Sequence, residues 1–127
     1  MTLQSISFFT YPDILRWASR GLLAALLAAM PWATLSPAAS PPSQWAGVMH
    51  LTAMAVFAIL ACAAFVSTRG RAGAVTFVFV FSALMEGFQH FSPVRQGSWE
   101  DVGINSLGCL AGVLIFALAQ GIKRRFG

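Results

Sequence analysis

The chain has 127 residues, 57% of them hydrophobic and only 9% charged. That composition is too apolar for an ordinary soluble domain and points to a protein dissolved in lipid. The net charge of +4 does not indicate nucleic acid as a partner, because the basic residues fall in small groups beside apolar runs and not along one amphipathic face. A bilayer leaves no water for unpaired backbone groups, and no alternating barrel pattern is present, so the expected fold is all-α: one domain, residues 1–127, of helices packed on helices.

Along the chain, Met1 to Tyr11 carries Ile6, Phe8, Phe9 and Tyr11 without a basic face and reads equally as an interfacial segment or a tail. Four apolar windows follow, at about 17–35, 45–66, 72–91 and 102–121, each near the roughly 20 residues that span hydrocarbon. They predict four transmembrane helices. Ser36-Pro37 with Ser40-Pro41-Pro42, Ser67 to Arg71 with Gly70, and Ser92-Pro93 to Trp99 supply the breaks between them. Connections this short make successive helices antiparallel neighbours. A competing reading takes the first apolar run as a cleaved secretory signal, with Arg16 and Arg20 before it and Ser36-Pro37-Ala38 as the small-residue site. Cys62 and Cys109 sit inside apolar runs, without CxxC spacing or nearby metal ligands, and read as buried thiols.

The positive residues set the expected orientation. Arg16 and Arg20 stand before the first window, Arg69 and Arg71 between the second and third, and Lys123, Arg124 and Arg125 after the fourth. The other two loops hold only Arg95, outweighed by Glu100 and Asp101. Both termini are therefore expected in the cytoplasm, with the chain crossing the membrane as a multi-pass protein.

With that topology, the polar side chains of the interior converge in the outer half of the bilayer. His50 lies about 5 to 8 Å below the outer end of the second helix. Glu86, Gln89 and His90 fall in the last turns of the third, at the i+3 and i+4 spacings that share a face. Asp101 and Asn105 begin the fourth helix, and Gly108 and Gly112 continue their stripe at a spacing that lets helices approach closely. Charge inside hydrocarbon costs roughly 2.5 to 3.5 kcal/mol at a helix centre, so such residues usually have a function. Each also has a plainer reading. Asp101 alone is an ordinary helix cap, Glu86 an ion pair with Arg95 that pins the outer loop, and His50 a hydrogen-bonded interior histidine. His50, His90, Glu86 and Asp101 are acceptable metal donors, but no HxxxH or ExxH pair occurs on one helix, so neither metal nor cofactor is expected.

Taken together, Glu86-x2-Gln89-x3-Pro93-x-Arg95-x2-Ser98-x2-Asp101-x3-Asn105-x2-Gly108-x3-Gly112 resembles the signature of the VanZ-like membrane proteins. Nine positions stand at fixed spacing, the resemblance covers the third and fourth helices with their loop, roughly the last third of the chain, and His50 is similar to a histidine that family carries near the start of its second helix. Family members often have an Asp-Lys pair just before that histidine and an aromatic residue one turn after it. Here Ala46-Gly47 and Met54 take those places. The resemblance implies a small integral membrane protein of the bacterial envelope, named after a member linked to resistance against teicoplanin-type glycopeptides, with relatives near polysaccharide-export genes. It brings no settled chemistry.

Three functions compete. The first is binding of an envelope lipid or polysaccharide precursor by His50, Glu86, Gln89, Arg95, Ser98, Asp101 and Asn105, with the planar fork of Arg95 on a phosphate or carboxylate. The second is an intramembrane enzyme acting on a lipid headgroup, with His90 or Glu86 as base; no nucleophile is marked, because loop serines such as Ser98 more often cap a helix. The third is a scaffold within an envelope protein complex. Binding is the preferred expectation.

Overall fold

A computed structural model describes residues 11–93 and 97–126, and the segment Met1 to Thr10 lies outside them. The described residues form four long helices and one short 3-10 turn: α1 (Tyr11–Leu35), the turn at Pro37–Ala39, α2 (Ser43–Ala64), α3 (Thr68–Gln89) and α4 (Trp99–Phe126). All four helices are long and apolar enough to cross a membrane. The expected all-α membrane bundle is thus the observed one.

The helix ends differ from the apolar windows for local reasons. Hydropathy marks the hydrocarbon span, whereas backbone hydrogen bonding continues into the polar boundary. Thus α1 starts at Tyr11, with Pro12 in its first turn and an Asp13–Arg16 ion pair of 3.0 Å at i,i+3. Arg16 and Arg20 consequently lie within α1 and not before it. At the other end of the chain α4 runs to Phe126, and Lys123, Arg124 and Arg125 in its last turn complement the helix dipole. Because α2 begins at Ser43, His50 lies seven residues inside, about 10 Å from the helix start.

The helices run alternately, so the ends of α1 and α3 and the starts of α2 and α4 share one end of the bundle. The packing is not a symmetric square. α2 touches each of the other three helices, and its most extensive partner is α4, with which it runs parallel; α1 and α4 do not meet among the described residues. Two glycines permit that approach. A Cβ on Gly108 would stand 2.6 Å from the Leu51 carbonyl oxygen and 2.8 Å from Met54 Cβ, and one on Gly112 would stand 2.8 Å from Ala58 Cβ. Small residues replace the hydrophobic driving force that lipid cannot supply between helices. The buried core continues inward through Met54, Phe57, Ala58, Ala61 and Val78, with Leu23 and Met30 contributed by α1.

At the opposite end, two arginines clamp the C-terminus of α2. Arg20 Nε donates to the Ala64 carbonyl at 2.8 Å, and Arg71 Nε donates to those of Cys62 at 3.1 Å and Phe65 at 2.9 Å. These carbonyls belong to the last turn, which has no helical donors of its own. Each guanidinium also lies over rings: Arg20 over Trp17 and Phe65, Arg71 over Phe116. Arg20 and Arg71, read in the sequence as orientation residues, are therefore structural ties.

Gly112→Leu is expected to lower the thermal midpoint in detergent, through an overpacking cost on the order of 1–3 kcal/mol. Gly121→Leu should leave it unchanged, because a Cβ there meets nothing within 4 Å. Differential scanning fluorimetry of the two variants checks this.

Candidate functional site

At the shared end of the bundle, three polar side chains are almost completely withdrawn from solvent: Glu86 and Asn105 are 3% exposed and Gln89 4%. Each has a named partner. Gln89 Nε2 donates to the Thr34 carbonyl at 2.7 Å, taking one of the terminal acceptors of α1 and tying α3 to it. Glu86 Oε1 accepts from the Ser98 backbone N–H at 2.9 Å, which places a carboxylate at the positive end of α4. Asn105 Oδ1 faces His50 Nδ1 at 3.1 Å and joins α4 to α2. An amide oxygen only accepts, so this contact requires Nδ1 to carry the hydrogen.

Ser98, and not Asp101, caps α4. Its Oγ accepts from Asp101 N at 3.0 Å, the bond an N-cap side chain makes. Asp101 instead projects, half-buried, from the first turn toward the cluster. One ligand-capable atom each from His50, Glu86 and Asp101 lies within 4.8 Å of the others. His90, at the C-cap of α3, is exposed and does not join them. Its neighbours at i−1 and i−4 point inward, and the extra rotation of one residue carries it out of the stripe. A base role for His90 at this site is therefore not supported by its position. Arg95 lies outside the described residues.

The network stands beside a cavity of about 280 Å³. Its polar wall is His50, Glu86, Gln89 and Asn105, and its apolar wall includes Met30, Met54 and Phe57. Its lining comes mainly from α1, α2 and α3, with Asn105 the contribution of α4. Asp101 does not line it. A larger cavity of about 560 Å³ lies at the basic end, between α3 and α4, with Arg71 and Arg124 among apolar residues. None of the described candidate site residues borders that second space.

Three residues of the site escape a sequence reading. Ser82 and Thr34 both line the cavity, and their hydroxyls are bonded to the Phe79 and Met30 carbonyls at 2.9 and 2.8 Å. A hydroxyl satisfied by its own helix looks the same in sequence wherever it points. Gly97 is buried under the loop, where a Cβ would collide with the Glu86 carbonyl oxygen and come within 3.3 Å of Gln89 Cβ. Its position one residue before a helix cap, in a stretch where the chain must lie flat on α3, is the signal that was available.

The arrangement defines a four-helix membrane protein with a buried polar network at one end, built largely from one helix-loop-helix signature. The chain belongs to the VanZ/LLP1 family, whose model matches residues 4–120 and so reaches well beyond that signature. No curated protein and no solved structure matches it.

Gly97→Ala is expected to push Ser98 away from Glu86 and break the 2.9 Å contact. A folded protein with faster amide exchange at the start of α4, followed by mass spectrometry, is the expected result. Unaltered exchange would show that the loop does not depend on this close approach.

Proposed function

We propose that the polar end of the bundle binds the headgroup of an envelope lipid or lipid-linked polysaccharide precursor. The supporting observation is the cavity of about 280 Å³, where His50, Glu86, Gln89 and Asn105 face apolar residues of α1 and α2. A space of mixed character inside a membrane protein suits an amphiphile, because the few placed polar groups orient a headgroup while the apolar wall accepts the adjoining chain. His50, Glu86, Gln89 and Asn105 face that space; Ser98 and Asp101 hold the start of α4 beside it. Arg95, three residues before Ser98 in the chain, supplies the cation for a phosphate or carboxylate.

The positive residues support an orientation with both termini in the cytoplasm of a bacterial cell, the site in the outer half of the inner membrane. The test is the lipid that copurifies with the full chain. His50→Ala and Arg95→Ala should each retain at least tenfold less of a particular anionic or isoprenoid lipid than the native protein, at equal yield of folded protein. Identical lipid content in all three preparations would overturn the reading.

A scaffold within an envelope complex is favoured by a different observation: the 2.9 Å bond from Ser98 N–H to Glu86 also locks α4 to α3. On that reading Glu86→Gln lowers the amount of folded protein and any cellular phenotype together. A binding site loses the phenotype at normal abundance, and immunoblots of membrane fractions distinguish the two outcomes.

A further inference from the structure

We propose that His50, Glu86 and Asp101 form a divalent-cation site at the polar end of the bundle. The three residues come from α2, α3 and α4 and are separated by up to 51 positions in the chain, yet their donor atoms lie within 4.8 Å of one another. Ligands held at roughly 2.0 to 2.4 Å from a common ion stand at most about 4 to 4.8 Å apart, so small side-chain rotations close the shell. Glu86 is buried and the other two are half-buried, which separates this set from a solvated acidic patch.

The histidine has a partner outside the ligand set. Asn105 Oδ1 engages Nδ1 at 3.1 Å. With the hydrogen on Nδ1, Nε2 keeps a lone pair for coordination, and the amide gives the outer-shell support metal-bound histidines ordinarily have. Glu86 uses Oε1 for the Ser98 N–H, and a carboxylate retains further acceptor capacity. One imidazole and two carboxylates suit zinc, manganese, iron or cobalt better than calcium or magnesium.

The ion also resolves an electrostatic conflict. The Glu86 carboxylate on the cavity wall, with that of Asp101 close to it, repels a phosphate, whereas a divalent ion between them attracts one. His50 and Glu86 both line the cavity, and three protein ligands leave at least one coordination position for an oxygen of an anionic headgroup. This last step rests on the headgroup reading; the ion site itself does not.

The test uses the full chain in detergent, with its purification tag removed and resident metal stripped by a chelator. Zn²⁺ alone is then titrated, with bound metal measured by elemental analysis after desalting, and Co²⁺ alone is followed by its visible absorption. One ion per chain is expected. His50→Ala, Glu86→Gln and Asp101→Asn should each weaken binding at least tenfold, and Asn105→Ala by roughly ten- to a hundredfold as an orienting residue. His90→Ala and a Cys62→Ser, Cys109→Ser double variant should bind as the native chain does. Where a carboxylate variant fails to fold, the decision passes to the Co²⁺ form of the native chain, whose spectrum and paramagnetically shifted histidine resonance report nitrogen and oxygen ligation directly.

No retained ion overturns the proposal, as does binding that survives both His50→Ala and Glu86→Gln or that disappears in His90→Ala. Binding that appears only in Arg95→Ala also overturns it, because the carboxylates then belong to that guanidinium. An ion retained without any headgroup-dependent lipid leaves this site standing and removes the function proposed above. Lipid retained without an ion does the reverse.

Discussion

Gly108 and Gly112 remove the side chains that would separate α4 from α2, so the two helices run parallel with backbone close to neighbouring Cβ atoms. The geometry of the polar end follows from this contact. Both helices start at the same level, and their close approach brings Asn105 within 3.1 Å of His50. A membrane interior offers no water to replace a lost partner, so position in such a bundle is set by which polar groups must meet. Glu86 meets the start of α4 and Gln89 meets the end of α1, which ties all four helices into one network.

The two ends of the bundle solve the same problem with different residues. At the basic end, the orphaned carbonyls of α2 are met by Arg20 and Arg71, long side chains that also pack over rings. At the other end the partners are a carboxylate, two amides and an imidazole, and they stand beside a smaller cavity. Long arginines can reach a helix terminus from a neighbouring helix while their stems cover apolar surface. A buried carboxylate has no such reach, and the helix dipole has to be brought to it by the fold of the loop through Gly97 and Ser98.

Much of this was legible beforehand. Four apolar windows specify four spanning helices, because an α-helix is the one element that satisfies its own backbone across hydrocarbon. The spacing of Glu86, Gln89, Asp101, Asn105 and the two glycines places them on inward faces, since i+3 and i+4 neighbours share a side. Less legible were the helix limits, because hydropathy falls off before hydrogen bonding does. The exposure of His90 turns on one residue of rotation, which composition does not resolve, and of the two residues read as caps, Ser98 and Asp101, the structure takes Ser98.

The sequence by itself determined a helical membrane protein, its family signature and the end of the bundle where its polar residues collect, because these depend on residue type and local periodicity. Only the tertiary structure decided that α4 lies on α2 more than on α3, that a cavity remains among α1, α2 and α3 with Asn105 of α4 on its wall, and that His50, Glu86 and Asp101 meet. Those outcomes depend on how helices far apart in the chain pack against one another. That packing is set by shape and by pairwise hydrogen bonds, neither of which any single helix contains.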